Sequence, residues 1–372
     1  MKKYLIVGAG FSGAVVAEQL SKSIDCDITV IDQRDHIAGN CHTERDEATG
    51  VMVHKYGPHI FNTDNEKVWL YIQKFGVIKN YTHRVKAIYK EKVYSLPINL
   101  HTINQFFDTN VNPNQAKELI ASLGMDIAEP ANFEEQALKM IGRDLYMAFM
   151  YGYTKKQWGI EPTELPASIL KRLPVRFNYN DSYYHSNFFG IPEHGYTSII
   201  KNMLDSDRIT VKLNVVFNQD YDISGFDHVF YTGPIDAFFE YRHGRLSYRT
   251  VSFERFEAEG DFQGASQINY CDEEIPYTRI CEHKHFTPWE THEKTVYFKE
   301  YSKETGPDDV PYYPKRLAAD IDILNKYEDE KHSLKNVSFL GRLATYRYMD
   351  MHHVIGEALD MAERFVELNK EI

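Results

Sequence analysis

The chain has 372 residues, 43% hydrophobic and 26% charged, a length that calls for two or three packed domains and a composition that leaves no room for a disordered majority. Its net charge of −12 excludes a general nucleic-acid surface, because gripping a phosphate backbone needs a basic field; a few converging arginines could still hold one small anion. Cys26, Cys41, Cys271 and Cys281 form no CxxC pair and there is no HExxH, so reduced thiols and no metal site are expected.

The opening MKKYLIVGAG is basic and then apolar, but Gly8 and Gly10 break the run and no AxA-like cleavage site follows, so it reads as a strand and not as a leader. No stretch approaches the ~20 apolar residues of a membrane span. A cytoplasmic chain without membrane insertion is expected. Residues 3–7 form the first strand, 12–22 have helical spacing, and 27–31 form a second β-branched strand stopped by Asp32. Residues 51–53 and 87–96 alternate as strands, and 66–76 read as a helix closed by Gly76. Helical periodicity then dominates, with one helix after Pro113, one capped by Asn132, and one following Gly142. Pro162, Pro166 and Pro174 punctuate a loop. Beyond it, residues 175–180, 248–258, 264–270, 277–283 and 294–301 read as an antiparallel sheet rich in aromatics. Strands at 209–216 and 228–231, a strand leading into Gly341-Arg342, and an amphipathic helix over 351–368 complete the pattern. The return of strand–glycine motifs so late in the chain implies a discontinuous domain.

Gly8-Ala9-Gly10-Phe11-Ser12-Gly13 is a GxGxxG between a strand and a helix, with Asp32 at the end of the next strand, about 20 residues on. Gly8 suits the tight turn, Gly10 a close approach to a pyrophosphate, and Gly13 close packing of helix on strand. The helix N-terminus supplies free N–H groups and a partial positive charge. Asp32 can accept hydrogen bonds from ribose hydroxyls. The motif alone does not choose between NAD and FAD. Arg34, Gly39 and Asn40, and the late Gly341-Arg342 segment before Asp350 and Met351, resemble the extended pattern of FAD proteins.

Several segments carry a more specific likeness: His54–Phe61 (HKYGPHIF), Tyr153–Gly159 (YTKKQWG), Lys171–Phe177 (KRLPVRF), Pro276–Arg279 (PYTR), Glu282–Phe286 (EHKHF), Pro311–Pro314 (PYYP) and Gly341–Ala344 (GRLA). In order and content these resemble the bacterial UDP-galactopyranose mutases over nearly the whole chain. The resemblance implies interconversion of UDP-galactopyranose and UDP-galactofuranose by reduced FAD, with no net redox change: flavin N5 attacks the anomeric carbon, UDP leaves, the sugar opens and recloses through O4, and UDP returns. It implies a cytoplasmic, homodimeric isomerase that serves cell-surface polysaccharide synthesis and needs a reductant for its FAD.

By the same resemblance Arg172 and Arg279 hold the diphosphate, where a planar, bidentate cation favours the departing charge. Tyr183, Tyr313 and Tyr348 bind phosphate and sugar, although Tyr312 competes with Tyr313. Tyr153 and Trp158 lie near the uracil. Asn269, Glu300, Arg249, Arg342 and Asp350 surround flavin and sugar, and His59 lies by the flavin ring. The segment 160–176 matches a mobile lid. The sequence departs from the family pattern at Asp32, Ala38, His83 and Met349.

The expected fold is α/β: a discontinuous Rossmann-like FAD-binding domain (1–80, 191–240 and 320–372), an inserted helical domain with the mobile loop (98–172), and an antiparallel β-sheet domain forming the substrate cleft (81–97, 173–190 and 241–319). Two competing functions are a mutase for UDP-N-acetylgalactopyranose and an FAD-dependent oxidoreductase of amine-oxidase-like fold. Two convergent cations would be of no use to the latter.

Overall fold

A computed structural model describes residues 1–172 and 175–370; of Lys171, Arg172 and Lys370 it describes the backbone only. Five short strands form a wholly parallel sheet in the spatial order Ile209–Lys212, Cys26–Ile31, Lys2–Val7, His228–Tyr231 and Val337–Phe339. The near-continuous apolar character of the inner strands follows from burial on both faces, whereas the edge strand Ile209–Lys212 alternates half-buried and exposed residues. Tyr4, Ile6, Ile28, Val30 and Phe230 pack beneath the helices Phe11–Ser23 and Met351–Lys370. Leu5, Val7, Ile31, Val229 and Tyr231 pack on the opposite side with Tyr248, Tyr327 and Tyr346. The register aligns Lys212 with Ile31, Ile31 with Val7, Val7 with Tyr231, and Tyr231 with Phe339, so all five carboxyl ends lie level. A crevice outside such an edge is where ligands of open α/β sheets bind.

A second sheet has seven strands, ordered Tyr313–Pro314, Tyr248–Glu259, Lys294–Glu304, Arg279–Glu282, Gln267–Tyr270, Val85–Tyr89 and Lys92–Leu96. It is antiparallel except where Gln267–Tyr270 runs parallel to Val85–Tyr89. Three sequence expectations need correction. Residues 175–180 form no strand: the side chains of Asn178 and Asn180 accept N–H groups two residues on, and this local bonding replaces a ladder. The strand expected over 209–216 ends at Lys212, before Asn214 takes a left-handed φ of 57°. The 87–96 run is a hairpin turning at Lys90 and Glu91, both at positive φ.

Asn99, Asn112 and Asn132 cap the helices Leu100–Phe107, Pro113–Leu123 and Phe133–Tyr146 by accepting first-turn N–H groups. Gly142, at φ 73° and ψ 175°, breaks the third helix. A wide π-type turn, Met147–Tyr151, leads into the helix Gly152–Trp158, which ends at Gly159 in the left-handed region. That last helix, the parallel sheet's carboxyl edge and the seven-stranded sheet all contribute to one cleft.

Candidate active site

The cleft has a volume of about 2130 Å³. At its Rossmann end it is lined by Gly8, Gly10, Phe11, Ser12, Asp32, Arg34, Gly39 and Asn40. The Asp32 carboxylate accepts the N–H groups of Ala9 (2.8 Å) and Arg34 (3.0 Å), which fixes the acid at the strand end. Arg34 donates from Nη2 to Asn40 Oδ1 (2.7 Å) and lies 4.5 Å from the Tyr56 ring centroid. Its Nη1 is buried with no hydrogen-bond partner. Gly39, at φ +53°, approaches Gly10 so closely that an added Cβ would sit 3.4 Å from the Gly10 Cα. Gly13 lies behind the cleft wall, where a Cβ would come within 2.0 Å of the Gly8 carbonyl oxygen; its part is packing of helix on strand.

At the other end, Arg279 opens its strand and donates from Nε to Glu300 Oε2 at 2.7 Å. Both side chains are largely buried, with exposures of 19% and 2%. Burial opposes the Arg279 charge, and Glu300 together with Cys281, Tyr153 and Tyr313 outweighs it, so the guanidinium stays protonated. Tyr153, Tyr183 and Tyr313 lie near enough to feel its charge, and Trp158 and Tyr348 line the same cleft. Tyr313 and Tyr348 stack with ring centroids 6.0 Å apart, and Arg342 lies 5.7 Å from the Tyr313 ring. Desolvation in the cleft raises all four phenols above the usual tyrosine range, including Tyr348, which is 46% exposed, and Arg279 opposes it at Tyr153, Tyr183 and Tyr313. They are therefore neutral O–H donors at neutral pH.

His59 lies between the two ends. Its Nδ1–H donates to the Gly57 carbonyl at 2.8 Å, which leaves Nε2 as the acceptor nitrogen. Burial, then Arg342, bring its pKa down to about 4, so the ring is neutral. Cys41 also lines the cleft, and burial pushes its thiol up to about 12, which removes it as a nucleophile. Arg342, Asp350 and Met351 complete the middle of the cleft.

A family model described as UDP-galactopyranose mutase matches residues 148–348. This chain belongs to that family. A model of an NAD(P)-binding Rossmann-like domain matches residues 6–75 of the same mutase. The enzyme is 52% identical over 366 residues to a Klebsiella pneumoniae protein named "Probable UDP-galactopyranose mutase", with 98% of this chain and 95% of that one covered. It is 50% identical over 378 residues to an Escherichia coli dTDP-fucopyranose mutase, with both chains covered in full. A crystal structure of a reduced UDP-galactopyranose mutase shares the fold with a TM-score of 0.76 at 14% identity, covering 99% of this chain and 94% of that one.

Besides Gly13 and Glu300, which is buried against Arg279, two of the mutase's sequence-predicted site residues lie off the cleft. Arg249 does not line the cleft and is 3% exposed. Its Nε donates to Gln157 O (3.0 Å) and Ser302 Oγ (3.2 Å), Nη2 to Lys156 O (3.2 Å), and Nη1 to Glu304 (2.8 Å). It thus closes the carbonyl end of the helix Gly152–Trp158. Asn269 also lies off the cleft and accepts from Gln267 Nε2 at 2.9 Å; Gln267 is the amide that faces inward. The side chain of Arg172 lies outside the described residues. Sequence reasoning missed Gln267, Tyr56, the Val215–Phe217 segment and Thr232-Gly233 as lining groups. The last two follow parallel strands, so the strand-end rule carried the available signal.

Proposed function

We propose that this mutase binds FAD along the carboxyl edge of its parallel sheet and interconverts the pyranose and furanose forms of a nucleoside-diphosphate hexose, with UDP-galactose the first candidate. Two features fit FAD: Gly10 and Gly39 line the cleft without side chains, so a pyrophosphate could approach their backbone, and the buried Arg34 Nη1 lacks a partner that a phosphate or adenosine oxygen would supply. Gly8, Gly10, Phe11, Ser12, Asp32, Arg34, Gly39 and Asn40 would hold the dinucleotide, with Gly13 setting the helix against the strand. His59, Arg342, Asp350 and Met351 would lie toward the ring. Reduced flavin supplies a nucleophilic nitrogen for the sugar's anomeric carbon.

The chain's own residues position the substrate and stabilise charge. Arg279 faces the diphosphate and offsets the charge released when UDP leaves. Tyr183, Tyr313 and Tyr348 donate to phosphate and sugar oxygens, and Tyr153 and Trp158 offer flat surfaces to the base. By the family resemblance Arg172 would supply a second cation to the diphosphate; its side chain lies outside the described residues. An external reductant and a homodimer belong to the same reading.

The observation that carries this reading is the single cleft joining the GxGxxG turn to the Arg279–Glu300 pair. A second substrate has its own support: the E. coli relative at 50% identity is a dTDP-fucopyranose mutase, which favours a thymidine-linked 6-deoxy sugar as alternative. Dithionite-reduced enzyme should therefore be assayed by HPLC with UDP-galactopyranose, UDP-N-acetylgalactosamine and dTDP-fucopyranose. A furanose product from one of them is expected. Rejection of all three, together with oxygen uptake in the presence of amines, would turn the reading toward an oxidase.

A further inference from the structure

Lys156 lies on the helix Gly152–Trp158, between the cleft-lining residues Tyr153 and Trp158. Its own ammonium points away from the cleft into the hairpin loop 271–278. There Nζ donates to four backbone carbonyls: Tyr270 O at 2.7 Å, Asp272 O at 2.8 Å, Ile275 O at 2.9 Å and Tyr277 O at 3.1 Å. An ammonium has three protons, so two of the four carbonyls share one of them, and four carbonyl oxygens gathered this closely make a setting that suits a cation. The neighbouring Lys155 reaches the same loop differently, through half-exposed ion pairs with Glu161 (2.8 Å) and the loop's Glu273 (2.6 Å).

The loop that Lys156 gathers ends at Arg279, the first residue of the next strand. The helix and this loop also touch at Gly152, where an added Cβ would lie 2.3 Å from the Cys271 carbonyl oxygen. From the other side Arg249 donates to the carbonyls of Lys156 and Gln157. The helix bearing two aromatic residues is therefore fastened at both ends, and its partner at one end is the segment that delivers the cleft's arginine.

We propose that Lys156 is a positioning residue whose ammonium, bound by four carbonyls, sets the spacing between the base-facing helix and the diphosphate-facing Arg279. This rests on the proposed reading that Tyr153 and Trp158 meet the base and Arg279 the diphosphate. A ligand spanning both groups feels that spacing directly, whereas the flavin end of the cleft does not. Losing the ammonium should weaken nucleotide binding and leave cofactor loading intact.

The test uses flavin-loaded full-length enzyme with UDP as the probe, titrated by calorimetry. Lys156→Met is expected to retain the flavin spectrum and far-UV circular dichroism while raising the UDP dissociation constant tenfold or more; Lys326→Met, at an exposed lysine of the helix Ala318–Lys331, should leave it within twofold. In Lys156→Ala, millimolar methylammonium should restore part of the lost affinity, a rescue that general destabilisation would not give. The double variant Lys156→Met/Arg279→Lys should bind UDP no more than about threefold more weakly than Arg279→Lys alone, because both changes act on one contact. If Lys156→Met does not fold, Lys156→Arg keeps the charge but not the shape and should weaken UDP binding at least threefold. Unchanged UDP affinity in whichever of the two variants folds would overturn the proposal. If Arg279→Lys leaves UDP binding unchanged, it is the substrate reading that fails; if only the Lys156 variants do so, the reading stands and the positioning role is lost.

Discussion

Arg279 and Glu300 form a buried pair in which each member depends on the other. Removing one leaves the other charged and without its partner, a loss of roughly 3 kcal/mol or more in buried pairs. Arg279→Ala should therefore lower both the melting temperature and turnover, the latter by two or more orders of magnitude if the guanidinium offsets leaving-group charge. Pairing Arg279→Met with Glu300→Gln should recover much of the stability and none of the turnover, which separates the two effects by calorimetry and an HPLC assay. Recovered turnover in that double variant would remove Arg279 from the site. His59 carries a different expectation. Its Nδ1–H is committed to Gly57, and burial with Arg342 holds its pKa near 4. The pH–rate profile should thus show no inflection from His59 near 6.5, and an inflection there that vanishes in His59→Gln would contradict the assignment of a neutral ring.

Among the elements, the glycine turn after the first strand has the least latitude. Alanine at Gly13 would bring a methyl within 2.0 Å of the Gly8 oxygen, and backbone cannot move aside as a flexible side chain can. Gly13→Ala should therefore yield protein that no longer carries flavin through gel filtration, while Gly225→Ala, where nothing lies within 4 Å of an added Cβ, should load normally. This turn was legible in the sequence because its demands are local: strand, glycine spacing, helix and a terminal acid all sit within one short stretch. Lys2–Val7, Cys26–Ile31 and Val337–Phe339 were legible for a similar reason, as largely apolar runs closed within two residues by glycine or acid, whereas Ile209–Lys212 has no such stop and its end was misplaced. Residues 175–180 were misread because aromatic alternation resembles a strand until the asparagines bond their own backbone. The hairpin turn at Lys90-Glu91 carries none of the Asn-Gly chemistry that marks such turns. Arg249 was misassigned because its partners come from a distant helix, and no spacing rule reports which carbonyls a buried cation will find. Gln267 and Asn269 lie two residues apart on one strand, so the pattern could not say which amide reaches the cleft.

At the scale of the molecule, three buried histidines tie stability to pH. His54, His83 and His283 have exposures of 1%, 4% and 0%. Burial lowers all three, His83 and His283 to about 3 and His54 well below its ordinary value. Because the folded values lie below the unfolded value of about 6.5, the unfolded chain takes up protons first and stability falls as pH drops through that value. Each histidine should contribute a loss of roughly 1 kcal/mol between pH 6.5 and about 5.5. The melting temperature should drop across that window, and a flat or rising one by scanning calorimetry would contradict the burial of neutral rings.

The cleft unites these scales, since one continuous space joins a dinucleotide fingerprint to a clamped arginine among neutral phenols. The central claim is that the reduced cofactor acts on the sugar carbon while these groups hold the nucleotide. Comparing turnover of UDP-galactopyranose and dTDP-fucopyranose by the same enzyme batch, fully oxidised and then dithionite-reduced under anaerobic conditions, tests it most directly. The account predicts furanose product from at least one substrate only after reduction; equal turnover in the two oxidation states would contradict it.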